Sequence, residues 1–191
     1  TEDGLRSGND LRSETILFAT DIAYKIDEDQ RFVVSADLAQ TDTDQTDLLN
    51  GDYADVVLGY AYRPAVDDSL TVLARYRYLM DEFGQRVDGV DDQGPRQRSH
   101  VTSIDATYAV NHNWTIGGKF GYRMSETALT ATSDFEQNDA WLAVASARYH
   151  LVNDWDALVE FRNFGLVQAE TTDFSVLAAG YKQINRNVSI G

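Results

Sequence analysis

Apolar and polar residues alternate with period 2 from Ile16 to the end of the chain. That period is the signature of strands with one face turned away from water. It predicts strands over Ile16–Lys25, Arg31–Leu38, Tyr53–Arg63, Leu70–Leu79, His100–Val110, Trp114–Met124, Trp141–Leu151, Trp155–Phe164 and Phe174–Lys182. A tenth begins at Val188. Short turns are expected at 27–30, 64–69, 111–113, 152–154 and 185–187, and longer loops at about 41–51, 81–97 and 125–139. No useful length shows helical period. Strands of about ten residues exceed the usual five or six of soluble sheets and match a tilted bilayer crossing.

Each short turn is preceded by a tyrosine: Tyr24, Tyr62, Tyr108, Tyr149 and Tyr181. Phe32, Leu70, Trp114, Trp155 and Val188 open the return strands. This is a loose hairpin repeat, irregular because the loops differ in length. One face carries sets such as Ala54, Val56, Leu58, Tyr60 and Tyr62, or Trp114, Ile116, Phe120, Tyr122 and Met124. The other mixes Gly, Ala and Ser with charges of both signs.

Two architectures share this pattern. In a soluble sandwich the apolar face is the core. In a membrane barrel it meets lipid, and the charged face lines the lumen. Three features favour an antiparallel up-and-down transmembrane β-barrel. The aromatics Tyr24, Phe32, Tyr62, Tyr108, Trp114, Tyr149, Trp155 and Tyr181 flank the short turns, as a girdle at headgroup level would. The charges Asp21, Lys25, Asp37, Asp55, Arg75, Arg77, Asp105, Lys119, Arg123, Arg148, Glu160, Arg162 and Lys182 are expected to face the lumen and pair across strands. Short and long connections alternate on fixed sides.

The chain has 191 residues and a formal net charge of −15. So acidic a surface repels nucleic acid. Cysteine is absent, which removes disulfides, thiolate metal sites and a cysteine nucleophile. No apolar run is long enough for a membrane helix, which leaves barrels untouched. Residues 1–15 read as a lead-in segment, a loop or the end of a preceding strand, and 16–191 as barrel strands. Thr1 and Gly191 read as ends of a piece of something longer, with the last strand cut short.

Three stretches, "AYRPAVDDSLTVLARYRYLMDEF" (61–83), "QRSHVTSIDATYAVNHNWTIGGKFGYR" (97–123) and "WDALVEFR" (155–162), resemble the β-barrel region of large proteobacterial outer-membrane surface proteins. The resemblance covers roughly residues 53–191. It implies a Gram-negative outer-membrane location and a barrel joined to larger surface domains. It implies no enzyme activity and no cofactor. The aromatic residue expected to end a final barrel strand is missing here.

Other chemistry is thin. His100, His112 and His150 have no metal-ligand spacing. No GxSxG elbow occurs, and Ser146 and His150 stand about 13 Å apart along one strand. The acidic loop with Asp42, Asp44, Asp47 and Asp52 has oxygen ligands suited to calcium but lacks an EF-hand pattern, and a solvated loop is the simpler reading. The expectation is therefore a non-enzymatic anchor that displays a larger surface protein. A porin-like passive channel with a charged lumen comes second, and a soluble β-sandwich of an adhesin third. Expected partners are outer-membrane lipid and lipopolysaccharide, covalently linked or associated surface domains and possible envelope-complex subunits, without nucleic acid.

Overall fold

The computed structural model describes residues 13–43, 51–67, 69–87, 90–130, 133–151, 155–185 and 188–191. They form β1 (Ser13–Lys25), β2 (Gln30–Thr43), β3 (Gly51–Tyr62), β4 (Leu70–Val87), β5 (Val90–Ala109), β6 (Trp114–Ala128), β7 (Glu136–Gln137), β8 (Ala140–Leu151), β9 (Trp155–Leu166), β10 (Thr171–Asn185) and β11 (Val188–Ile190). Each strand pairs antiparallel with the next in one sheet, except that β8 pairs β6 with the short β7 continuing its line. The architecture is all-β: one antiparallel up-and-down sheet whose long strands follow one another in chain order. Among the described residues β1 and β11 are its two ends and are not paired with each other.

No second layer covers this sheet. Among the described residues only Ala128 and Ala140 are buried apolar side chains, and no large side chain is fully buried. Ile104, Ile116, Phe120 and Phe161 each leave nearly half their surface exposed. A β-sandwich hides such residues between two sheets, and here there is one sheet. Between the two end strands, backbone groups are satisfied laterally, strand to strand.

Turn chemistry follows local side chains. Asp27 accepts the backbone N–H groups of Asp29 and Gln30 at 2.9 and 2.7 Å. Asn111 accepts those of Asn113 and Trp114 at 2.9 and 3.0 Å. The same Asx device closes two hairpins on the same side, in keeping with hairpin duplication. The turn after β9 puts Glu170 at φ 49°, a left-handed conformation costly for a residue with a Cβ.

One expected loop is not a loop. The stretch 81–97 is instead an extension of β4 and β5, which run to Val87 and from Val90. Its polar composition suggested a loop, yet the pairs Asp81–Gln97, Glu82–Arg96 and Gly84–Gln93 continue the ladder. A register shift between Glu82 and Gly84 absorbs Pro95, which lacks the N–H a regular ladder needs. A long hairpin that solvent reaches on both sides can be polar on both faces, so alternation fails there. The expected loop at 125–139 is also partly strand, with β6 reaching Ala128 and β7 beside it.

Candidate functional site: the charged face and two aromatic belts

The register sorts the expected residues onto faces. Chains of partners such as Lys25–Arg31–Ala61–Leu73–Asp105–Lys119–Val144–Arg162–Ser175 run across the sheet on one face. Asp21, Asp37, Asp55, Arg75, Arg77, Arg123, Arg148 and Glu160 share that face with Lys25, Asp105, Lys119 and Arg162.

Lys182 does not. It is the partner of Trp155, and its ammonium lies 5.4 Å from that indole's centre. Tyr181 pairs with Asp156 and stands on the charged face, off the girdle where it was expected. The turn-proximal tyrosine repeat set the expected phase, but β10 is paired without interruption from Thr171 to Lys182. Counting in twos from Phe174 and Val176 therefore places Lys182 with them. A one-residue offset swaps the faces of both residues.

On the charged face the carboxylate of Asp55 accepts two hydrogen bonds from Arg77, Nε to Oδ1 at 2.8 Å and Nη2 to Oδ2 at 2.7 Å. Asp37 is directly opposite Asp55, so Arg77 separates what would be facing like charges. Lys119 Nζ lies 3.1 Å from Asp105 Oδ2. Arg162 pairs with Glu160 two residues away on the same strand. His150 Nδ1 is 2.7 Å from Asp156 Oδ1, so this histidine is engaged across the strand pair, while Ser146 is the partner of Gly117 and Glu160. Among the described residues Arg75 and Arg123 have no ion pair. Arg75 stands between Gly59 and Ser103, with Gly121 beyond, a low-relief patch on this face.

On the apolar face, Tyr24, Phe32, Tyr62, Tyr108, Trp114, Tyr149 and Trp155 gather near the short-turn end. The Trp114 and Tyr149 rings are 4.7 Å apart. A second belt was not anticipated. Tyr76, Thr102, Tyr122 and Trp141 occupy one row across β4, β5, β6 and β8. Tyr78 and His100 occupy the next, with ring centres 4.9 Å apart. Trp114 and Tyr122 are eight residues apart on β6, as are Trp141 and Tyr149 on β8. That spacing is about 26 Å along a strand. Ile116, Phe120, Ala143, Ala145, Val159 and Phe161 fill the band between the belts. The repeated spacing of eight was the signal available in the sequence.

Of the acidic loop, Asp44 and Asp47 lie outside the described residues. Asp42 belongs to β2 opposite Glu14, and Asp52 to β3 opposite Gln40.

No protein-family profile and no curated protein matches the chain. Among solved structures, the porin NanC in a rhombohedral crystal form is similar at a TM-score of 0.49 and 15% identity, over 87% of this chain and 77% of its own. The ferric citrate transporter FecA in its unliganded form gives 0.45 at 11% identity, over 92% of this chain and 34% of its own.

Proposed function

We propose that the chain is a bacterial outer-membrane barrel that anchors and displays a larger surface protein, without enzymatic chemistry of its own. One observation carries the membrane part. A single-layer sheet exposes an apolar band bounded on both sides by aromatic rows. Water does not stabilise such a band, and lipid does. The anchoring part is supported by the charged face, where Arg77–Asp55, Lys119–Asp105 and Arg162–Glu160 neutralise one another. A salt-bridged interior suits a plugged barrel.

A passive channel is the second reading, and a specific observation favours it. Arg75 and Arg123 stand among small residues on the charged face without an ion pair among the described residues. Exposed cationic positions of that kind tune solute preference in pores.

The deciding experiment blots the native membrane protein on a denaturing gel, with and without boiling, then records conductance in planar bilayers. A boiling-dependent shift of a band far above the size of this chain, with no conductance, is expected of an anchor. Steady conductance whose ion selectivity shifts in Arg75→Glu would favour the channel. Recovery in the soluble fraction with no shift would sink both.

A further inference from the structure

A cavity of about 750 Å³ opens on the apolar face at the end away from the short turns. It lies beyond the belt of Tyr76, Tyr122 and Trp141, outside the apolar band. Its floor is the row Val56, Tyr78, His100 and Met124, with Tyr76 at the inner rim. Its outer wall is the next row, Arg98, Glu126 and Gln137, with Asp139 at the side. The floor is a platform of rings that hold one another. The Tyr76 hydroxyl and His100 Nδ1 are 2.7 Å apart, and the His100 ring centre lies 4.9 Å from that of Tyr78 and 6.1 Å from that of Tyr76. The face of an aromatic ring carries partial negative charge and attracts the C–H groups of a saturated ring laid on it.

The wall selects the polar chemistry. Arg98 is already neutralised by Glu82, with Nη2 at 2.6 Å from Oε1. Glu126 and Gln137 are direct cross-strand partners, and neither side chain has a hydrogen bond or ion pair among the described residues. The Asp139 carboxylate is pinned by the Tyr122 hydroxyl and the Ser125 N–H, which donate to it at 3.3 Å each. Its own N–H donates to the Gln168 side chain at 2.6 Å. With Arg98 neutralised, Glu126 and Asp139 leave the wall negative, so a phosphate or carboxylate is repelled. A bare cation would leave the N–H donors of Gln137 and Arg98 unused. A hydroxyl both donates and accepts, and so satisfies all four groups without bringing a charge.

We propose that this cavity binds an uncharged sugar. A pyranose ring lies on the Tyr78–His100 platform, its hydroxyls donating to Glu126 and Asp139 and accepting from Gln137 and Arg98. The volume falls in the range of small-molecule sites, about 300–1,000 Å³. Partners already fixed by their own neighbours, as Asp139 and His100 are, lower the ordering cost of binding. Two sources present this chemistry at a bacterial surface, the neutral sugars of lipopolysaccharide and a free saccharide. The placement at that surface rests on the membrane reading above.

The test uses the whole protein, refolded without lipopolysaccharide in a detergent that has no sugar headgroup. It is applied to an array of neutral hexose oligosaccharides, the same chains capped with a carboxylate or phosphate, and immobilised alkyl amines. Neutral glycans are expected to bind roughly tenfold better than their acid-capped forms, and Glu126→Gln to weaken neutral binding by about tenfold. Gln137→Ala, at an exposed position of the two-residue β7, provides a second variant with roughly a threefold loss. No binding to any neutral glycan, a preference for acid-capped glycans or amines, or unaltered binding in both folded variants would overturn the site. Protein extracted from its own outer membrane identifies the source. A site closed to the array in that preparation and open in the refolded protein is filled by lipopolysaccharide sugars, whereas a site open in both takes a free saccharide. Carbonate extraction separates the two claims. A protein that stays in the membrane but binds no neutral glycan refutes only the sugar site. One that washes off refutes the membrane reading itself.

Discussion

The indole of Trp141 occupies the space that a Cβ on Gly165, its direct cross-strand partner, would fill. Gly165 is buried beneath it although the sheet has almost no buried residues. A glycine in a strand interior is intrinsically unfavourable, and an aromatic laid over it restores the lost contact. Gly165→Ala should therefore push the indole off its place and cost about 1–3 kcal/mol. Urea unfolding in lipid vesicles, followed by tryptophan emission, checks this. An unchanged midpoint would mean that Trp141 has another equally good position.

Arg77 keeps Asp55 and Asp37 from facing each other uncompensated. Arg77→Gln is expected to destabilise the folded barrel by about 1–2 kcal/mol, kept modest because Arg77 remains partly exposed. Asp55→Asn added to it should recover part of that loss. A double-mutant cycle on unfolding midpoints reads the coupling, and strict additivity would show that the pair contributes nothing.

The two faces should respond oppositely to an added charge. Phe120→Arg, in the apolar band, should cost about 2–4 kcal/mol in lipid. Leu73→Arg, on the charged face opposite Asp105, should be close to neutral. Equal costs would show that the apolar band does not face lipid.

The three tryptophans should lie at headgroup level, Trp114 and Trp155 in the belt near the short turns and Trp141 in the other. Single-tryptophan variants in bilayers of lipids brominated at different depths report this by quenching. Bromines near the headgroup should quench all three more than bromines near the chain ends. Strongest quenching from the bilayer centre would displace the belts.

Glu170→Gly should stabilise the β9–β10 hairpin by about 1 kcal/mol, because glycine adopts the left-handed conformation there at no steric cost. The same unfolding assay measures it, and a lower midpoint would show that the Glu170 side chain contributes more than its backbone strain removes.

Much of this was legible in the residues because strand parity is local. Val56, Leu58 and Tyr60 alternate with Asp55, Val57 and Gly59, and that alone puts Asp55 on one face and Tyr60 on the other. The tyrosines before the turns similarly marked one aromatic belt. Two kinds of feature escaped. Where β4 and β5 extend past Leu79 and begin before His100, both faces are polar, so no alternation announces a strand. Where phase was carried from one hairpin to another, as at Tyr181 and Lys182, a single-residue offset reversed the outcome.

The sequence by itself determined the class of element, the identity of the apolar face and the acidic, cysteine-free character of the chain, because each depends on residues one or two positions apart. Only the tertiary structure decided which charges meet. Arg77 finds Asp55, Arg98 takes Glu82 and leaves Glu126, and Tyr76 joins Tyr122 and Trp141 in one belt through the register of separate strands. Register is a relation between distant segments, set by turn lengths and by the bulge near Pro95, and no local pattern encodes it.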